Sequence, residues 1–298
     1  MSTWRIGIDL GGTKTEIAVL GPDGTLSLRR RIPTARGYEA ALMGIVGLVR
    51  ELEAELGTRA TVGVGIPGSI SPVTGLVKNA NSNALNGHPF DRDLGALLDR
   101  EIRVANDANC FALSEASDGA GAGAHCVFGV IMGTGCGGGV VIGGQVLEGR
   151  QRVAGEWGHT PLPWPHAEEY PGPVCWCGRH NCLETRLSGT GLAEDCDGPG
   201  ARDASEIPAR AAAGEARAQH ALARHADRLA RGLAVVVNLI DPDVIVLGGG
   251  LSNMAHLYEQ VPPLLSRYVF SDVAVTPVVP HRHGDSSGVR GAAWLWPA

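Results

Sequence analysis

A strand, a glycine turn, a returning strand and a second turn occur twice in this chain, and that duplication limits the fold more than any other feature. In the first copy, residues 4–10 form a short apolar strand with Asp9 near its end. Gly11-Gly12-Thr13-Lys14 is a tight turn, residues 15–20 return, and Gly21-Pro22-Asp23-Gly24 turns into a third strand at 25–32. In the second copy, residues 127–132 run into Gly133-Thr134-Gly135-Cys136-Gly137-Gly138-Gly139, residues 140–142 return, and Gly143-Gly144 leads to 145–147. A repeated unit of this kind implies two related halves, with the boundary in the small-residue stretch 119–124. Each glycine tip exposes backbone N–H groups to a phosphate without Cβ interference. The Walker A spacing is missing, but Asp9, just ahead of the first tip, is placed to hold a hydrated Mg²⁺.

Between and beyond the copies the pattern alternates helix and strand. Tyr38–Leu56 has helical periodicity, Thr61–Ile66 reads as a buried strand, and residues 90–101 as a short helix. The loop 77–90 carries Asn79, Asn81, Ser82, Asn83 and Asn86, which suits either a plain polar loop or one facing sugar hydroxyls. A strand at 103–105 delivers Asn106-Asp107 to a helix at 110–117. An aspartate there is by default an N-cap, yet it also lies at the carboxyl end of a strand, where open α/β sheets bind ligands. Residues 195–209 are polar and read mostly as loop. Ala216–Ile240 is a long helix stopped by Pro242, residues 243–247 a buried strand, and Gly248-Gly249-Gly250 opens the next helix. A last strand is expected at 273–279 and a closing helix at 286–296.

The segment 156–184 carries a different signal. Three cysteines, Cys175, Cys177 and Cys182, fall within eight residues, with His159 upstream. Thiolate and imidazole are the donors that tetrahedral Zn²⁺ prefers, and four protein donors close the shell, so the metal is structural. A disulfide pair with a spare thiol is the competing reading. A Cys-x-Cys pair cannot close a relaxed disulfide on itself, and the chain's seven cysteines are odd in number. Glu156 and Glu184 bracket the set; Glu156 shares a face with His159 if both lie on one helical turn. Folding around a metal gathers Glu156, His159 and Glu184 into a pocket for a hydroxyl-rich ligand.

A net charge of −6 and the absence of a basic block argue against nucleic acid as a partner. Arg29-Arg30-Arg31 is the one basic run and is expected on a solvated strand face. Residues 1–298 contain no targeting pattern and no apolar run that could span a membrane, and with free thiols this points to the cytoplasm.

Asp9-Leu10-Gly11-Gly12-Thr13-Lys14 is similar to the first phosphate motif of the actin and hexokinase superfamily. Glu156-Trp157-Gly158-His159, followed by Cys175-x-Cys177-Gly178 and Cys182-x-Glu184, resembles the signature of the ROK family of repressors, open reading frames and sugar kinases; Asn181 stands where the pattern has a second glycine. The resemblance implies an α/β, actin/hexokinase-like (ribonuclease H-like) duplicated two-domain fold with a cleft between the domains. Residues 1–118, completed by a C-terminal helix at about 285–298, would form one domain, and 119–284 the other. It implies an ATP-dependent hexose kinase with Asp107 as general base. Asn81, Asn106, Glu156, His159 and Glu184 would hold the sugar, while His159, Cys175, Cys177 and Cys182 bind Zn²⁺. Asp9, Gly11, Gly12, Thr13, Lys14, Thr134 and Gly135 would face the ATP phosphates and Mg²⁺, and Gly249 and Gly250 the adenosine. The loop 77–90 and the ending His283-Gly284-Asp285-Ser286-Ser287-Gly288 most resemble bacterial fructokinases, so fructose is the expected acceptor, with mannose, glucose or an N-acetyl-hexosamine as alternatives. Repressor members carry a DNA-binding domain ahead of the core, and three residues precede the first strand here, so an enzyme is expected over a sugar sensor. A homodimer is expected from the same resemblance.

Overall fold

The computed structural model describes residues 3–80 and 84–297, so Asn81, assigned to the sugar by resemblance, lies outside the described residues. The first half runs β1 (Arg5–Leu10), β2 (Lys14–Leu20), β3 (Leu26–Pro33), α1 (Tyr38–Leu56), β4 (Thr61–Ile66), a small hairpin β5 (Ser69–Ile70) and β6 (Val77–Lys78), α2 (Phe90–Leu98), β7 (Ile102–Asn106) and α3 (Asp107–Ser117). The second runs β8 (Cys126–Met132), β9 (Cys136–Ile142), β10 (Gln145–Val146), α4 (Glu184–Leu187), α5 (Gly189–Asp197), α6 (Ile207–Ala212), α7 (Ala216–Ile240), β11 (Val244–Gly248), α8 (His256–Leu265), β12 (Val278–Pro280) and α9 (Ser287–Trp294).

The duplication is visible in the sheets. The first has the order β3-β2-β1-β4-β7 and the second β10-β9-β8-β11-β12. In each, an antiparallel meander supplies three strands, and two parallel strands extend it from the first of the three. β1, β4, β8 and β11 are apolar and buried because helices cover both faces, the condition under which parallel strands lose their polar alternation. α1 lays Leu42, Ile45, Val49 and Leu52 on the first core.

Two helices cross between the halves. α9 lies on β1 and β4, and only glycine admits it: a Cβ on Gly7 would stand 1.9 Å from the Val289 carbonyl oxygen, and one on Gly63 1.9 Å from that of Ala292. α3 lies mainly on β8 and β9 of the second sheet, although the sequence counts residues 107–117 with the first half. The two helices touch where Gly291 meets Cys110. Asp107 therefore starts a helix that belongs by chain to one half and by packing to the other. Among the described residues no helix is long and apolar enough to cross a membrane.

Residues 195–209 are mostly loop, as expected, between the end of α5 at Asp197 and the start of α6 at Ile207, and ion pairs from Arg210 and Arg217 to Asp197 hold the stretch. Several local expectations need correction. The glycine run 133–139 is not one tip, since strand β9 begins at Cys136. The helix after Gly250 is a 3₁₀ turn, with α8 starting only at His256. The strand expected over 273–279 shrinks to Val278–Pro280, because Val273 and Val275 are exposed and Pro277 has no N–H for a ladder. The helix expected over 90–101 ends at Leu98, where Asp99 adopts φ 51°. Arg29 and Arg31 are not simply solvated: both pair with Glu16, which is buried.

Candidate active site and metal centre

Asp107 is the first residue of α3, at the end of β7. The capping role falls to its neighbour: the Asn106 side chain accepts from the Ala108 N–H at 2.9 Å and donates to the Gly68 carbonyl at 3.3 Å. Asp107 Oδ1 takes a second bond from the same N–H at 2.8 Å, and the carboxyl group is open to the cleft. The mass of protein around the cleft floor, followed by the charges of Asp9 and Glu156, pushes Asp107 up to about 6. Solvent still reaches the group, so its ionisation is hindered rather than forbidden. Asp9, near the end of β1, is itself raised by burial and then by Glu16. Asp9 in turn opposes the ionisation of Asp107, and neighbouring carboxylates of this kind form a place where a cation is welcome.

The first turn closes with Gly11 N–H donating to the Lys14 carbonyl at 3.0 Å, and Gly12, Thr13 and Lys14 stand exposed at its tip. The second turn closes with Gly133 N–H to the Gly135 carbonyl at 2.9 Å and leaves Thr134 exposed. Gly249, at φ 79°, brings the third glycine turn against the second: its Cβ would lie 2.4 Å from the Met132 carbonyl oxygen. The sequence reading missed the N-terminus of α5, where Gly189 N–H donates to the Gly133 carbonyl at 2.7 Å. The Ser188 side chain caps this helix by accepting from the Gly191 N–H at 3.1 Å.

Glu156 precedes a 3₁₀ turn, Trp157–His159, and His159 N–H donates to its carbonyl at 3.3 Å. Side chains three apart eclipse in such a turn, so Glu156 and His159 share a face. The turn is seated by Trp157, whose indole N–H donates to the Gly137 carbonyl at 3.0 Å and whose ring meets Phe128 edge-on. A Cβ on Gly138 would stand 2.7 Å from that indole, and one on Gly158 1.9 Å from the Cys136 carbonyl oxygen. Glycines 137–139 thus admit α3 on one side and the Glu156–His159 turn on the other; their role is close approach.

His159, Cys175, Cys177 and Cys182 present one donor atom each, all within 4.8 Å of one another. The Cys175 Sγ–His159 Nδ1 and Cys177 Sγ–Cys182 Sγ separations are both 3.6 Å. Tetrahedral Zn–S and Zn–N bonds of about 2.3 and 2.0 Å require edges close to that length, so the donor set fits Zn²⁺. Gly178, at φ 84°, makes the knuckle turn, and Asn181, at φ 57°, fills the left-handed position that the family pattern gives to glycine. All seven cysteines are free. Glu184 opens α4 beside this set and reaches across to the second turn, its Oε2 accepting from the Cys136 N–H at 3.0 Å.

The ROK family model matches residues 5–298. The chain belongs to the ROK family. It is 38% identical to the N-acetyl-D-glucosamine kinase of Escherichia coli O139:H28, with 97% of this chain and 98% of that protein covered. It superposes on the ROK hexokinase of Thermus thermophilus with a TM-score of 0.86 at 32% identity, covering 98% of this chain and 97% of that one. The ROK glucokinase of Streptomyces griseus, solved with glucose and AMPPNP, gives 0.78 at 26% identity, covering 98% of each chain. The fold is the actin/hexokinase-like one, in two α/β domains.

Proposed function

We propose that this ROK protein is an ATP-dependent hexose kinase whose main acceptor is N-acetylglucosamine. The observation that carries the acceptor is the end-to-end similarity to a kinase named for that sugar. Fructose, expected from the loop 77–90, becomes the competing acceptor.

The chemistry follows from the cleft. Phosphoryl transfer asks for backbone donors around the phosphates and a carboxylate beside the attacking hydroxyl. Asp107 takes the proton from that hydroxyl, at the start of a helix whose cap Asn106 already provides. Asn106, Glu156, His159 and Glu184 hold the remaining hydroxyls. Gly11 to Lys14 and Thr134-Gly135 receive the phosphates, Gly249-Gly250 the adenosine, and Asp9 faces the cation. The Mg²⁺ that accompanies ATP supplies charge neutralisation on the transferred group. His159, Cys175, Cys177 and Cys182 would hold Zn²⁺ as a structural ion; His159 turns Nδ1 toward Cys175, which would leave Nε2 for the sugar. The same reading gives a cytoplasmic homodimer, which a monomeric mass in sedimentation would remove.

A coupled ADP-release assay across a hexose panel tests the acceptor. N-acetylglucosamine should give the highest kcat/KM; a clear win by fructose or glucose would overturn that choice and leave the kinase reading standing. Elemental analysis should find one zinc per chain, and its removal should weaken sugar binding. Active enzyme without zinc would end the metal assignment.

A further inference from the structure

Trp176 stands between two of the metal donors, Cys175 and Cys177, and is 69% exposed. So large an exposed apolar ring does not contribute to a core. Its indole N–H donates to Glu184 Oε1 at 2.7 Å. Its ring stands edge-on to the His159 imidazole, with centroids 4.9 Å apart and planes at 85°. The one side chain therefore touches two of the groups that the proposed function gives to sugar hydroxyls, Glu184 and the metal donor His159.

The two contacts restrict those groups in different ways. A carboxylate offers about four lone-pair sites. The Cys136 N–H takes one on Oε2 at 3.0 Å and the indole N–H one on Oε1, with the Cys175 thiol 3.9 Å from the same oxygen. Glu184 is held from both ends, and the directions of its free lone pairs are set before any ligand arrives. His159 points Nδ1 at Cys175, and the edge-on indole fixes the plane in which Nε2 lies. A sugar meeting one preset acceptor, Glu184, and one preset donor, the His159 Nε2–H, loses less freedom on binding than one that must order them.

We propose that Trp176 is a positioning residue of the sugar site, orienting Glu184 through its indole N–H and His159 through its ring. The inference rests on the hexose-kinase reading. Its competitor makes Trp176 a cover for the metal loop with no influence on the sugar.

The zinc-loaded full chain carrying Trp176→Phe separates the two, because Phe keeps a ring over His159 and removes the N–H. The KM for the hexose acceptor should rise about 10-fold, the scale of one lost bond to a charged group. The KM for ATP, kcat at saturating sugar and the zinc content should stay within about twofold. In a Glu184→Ala background the Trp176→Phe effect should largely vanish, since no acceptor is then left for the indole N–H to orient. An unchanged sugar KM in Trp176→Phe, or a loss of zinc that accounts for its rise, overturns the positioning role while hexose kinase activity in the unmodified protein survives. A wild-type protein that phosphorylates no hexose takes down the parent reading instead.

Discussion

Asp107 and Glu169 are both acids surrounded by protein, and their environments oppose each other. Glu169 is 4% exposed, lies in a 3₁₀ turn before the first metal cysteine, and is met by two arginines of α7. Arg228 Nε donates to it at 2.8 Å, Arg231 at 2.8 and 2.9 Å, and the His166 N–H at 2.9 Å. Burial alone would resist its ionisation, but those bonds outweigh burial and hold it down to about 2. For Asp107 the bonds from the Ala108 N–H and the Asn106 side chain are outweighed by burial and by the like charges of Asp9 and Glu156, so it rises to about 6. One carboxylate is locked as an anion and spends its capacity on structure. The other is left without a cation partner and open to the cleft, as a proton acceptor near neutral pH must be.

The largest effect should come from Asp107→Asn. Asn106 already caps α3, so the substitution removes no cap, and it deletes a charge repelled by Asp9 and Glu156. The fold should be kept, with a melting temperature at pH 7.5 equal to or above the parent's. Turnover should drop by about 10²–10⁴ for loss of the general base. A variant that melts normally and keeps most of its kcat would reduce Asp107 to a bystander.

That contrast was only half legible in the sequence. Asp107 could be found because its signal is local: a strand end, a helix start and an Asn-Asp pair. The two sheets could be found for the same reason, since apolar strands and glycine turns announce themselves within a few residues. Glu169 could not, because its partners Arg228 and Arg231 lie some 60 positions downstream, on a helix that hydrophobic periodicity reports only as apolar on one side. The pairing of Arg29 and Arg31 with Glu16 escaped likewise: a run of three arginines on a strand looks solvated until the buried acid on the next strand is seen. α6 hid because its six residues, Ile207–Ala212, are too few to show a helical period. Trp176 hid because a single residue between two cysteines reads as a spacer.

Glu169→Gln should be the next largest and should fall on stability. Among the described residues it leaves Arg228 and Arg231, 3% and 1% exposed, with Asp195 and Asp227 as counter-charges. Removing one partner of a buried ionic cluster costs about 3–5 kcal/mol. Urea unfolding should show that loss, while kcat measured on the folded protein at low temperature should match the parent within about twofold. A variant that unfolds like the parent but turns over slowly would reverse the two roles.

The smallest effect, and the sharpest comparison, is in pH. Glu169 sits below its unfolded value of about 4.3, so its contribution to stability is whole above that pH and is lost as pH falls toward about 2. Asp107 sits above its unfolded value of about 3.9, so the folded state holds the extra proton, and its ionisation lowers stability as pH rises toward about 6. Catalysis has the opposite dependence on the same group, because the base works only when ionised. kcat/KM should therefore fall about tenfold per unit below a midpoint near pH 6. Between roughly pH 4.5 and 6 the protein should stay folded while its activity falls progressively, with full recovery on return to pH 7.5. Circular dichroism and activity followed on one titration read both carboxylates at once. If the two signals fell together, acid would be acting through the fold, and the assignment of the activity midpoint to Asp107 would be lost. If activity instead held down to about pH 4, Asp107 would be an ordinary solvated aspartate, and the crowding by Asp9 and Glu156 would not reach its proton.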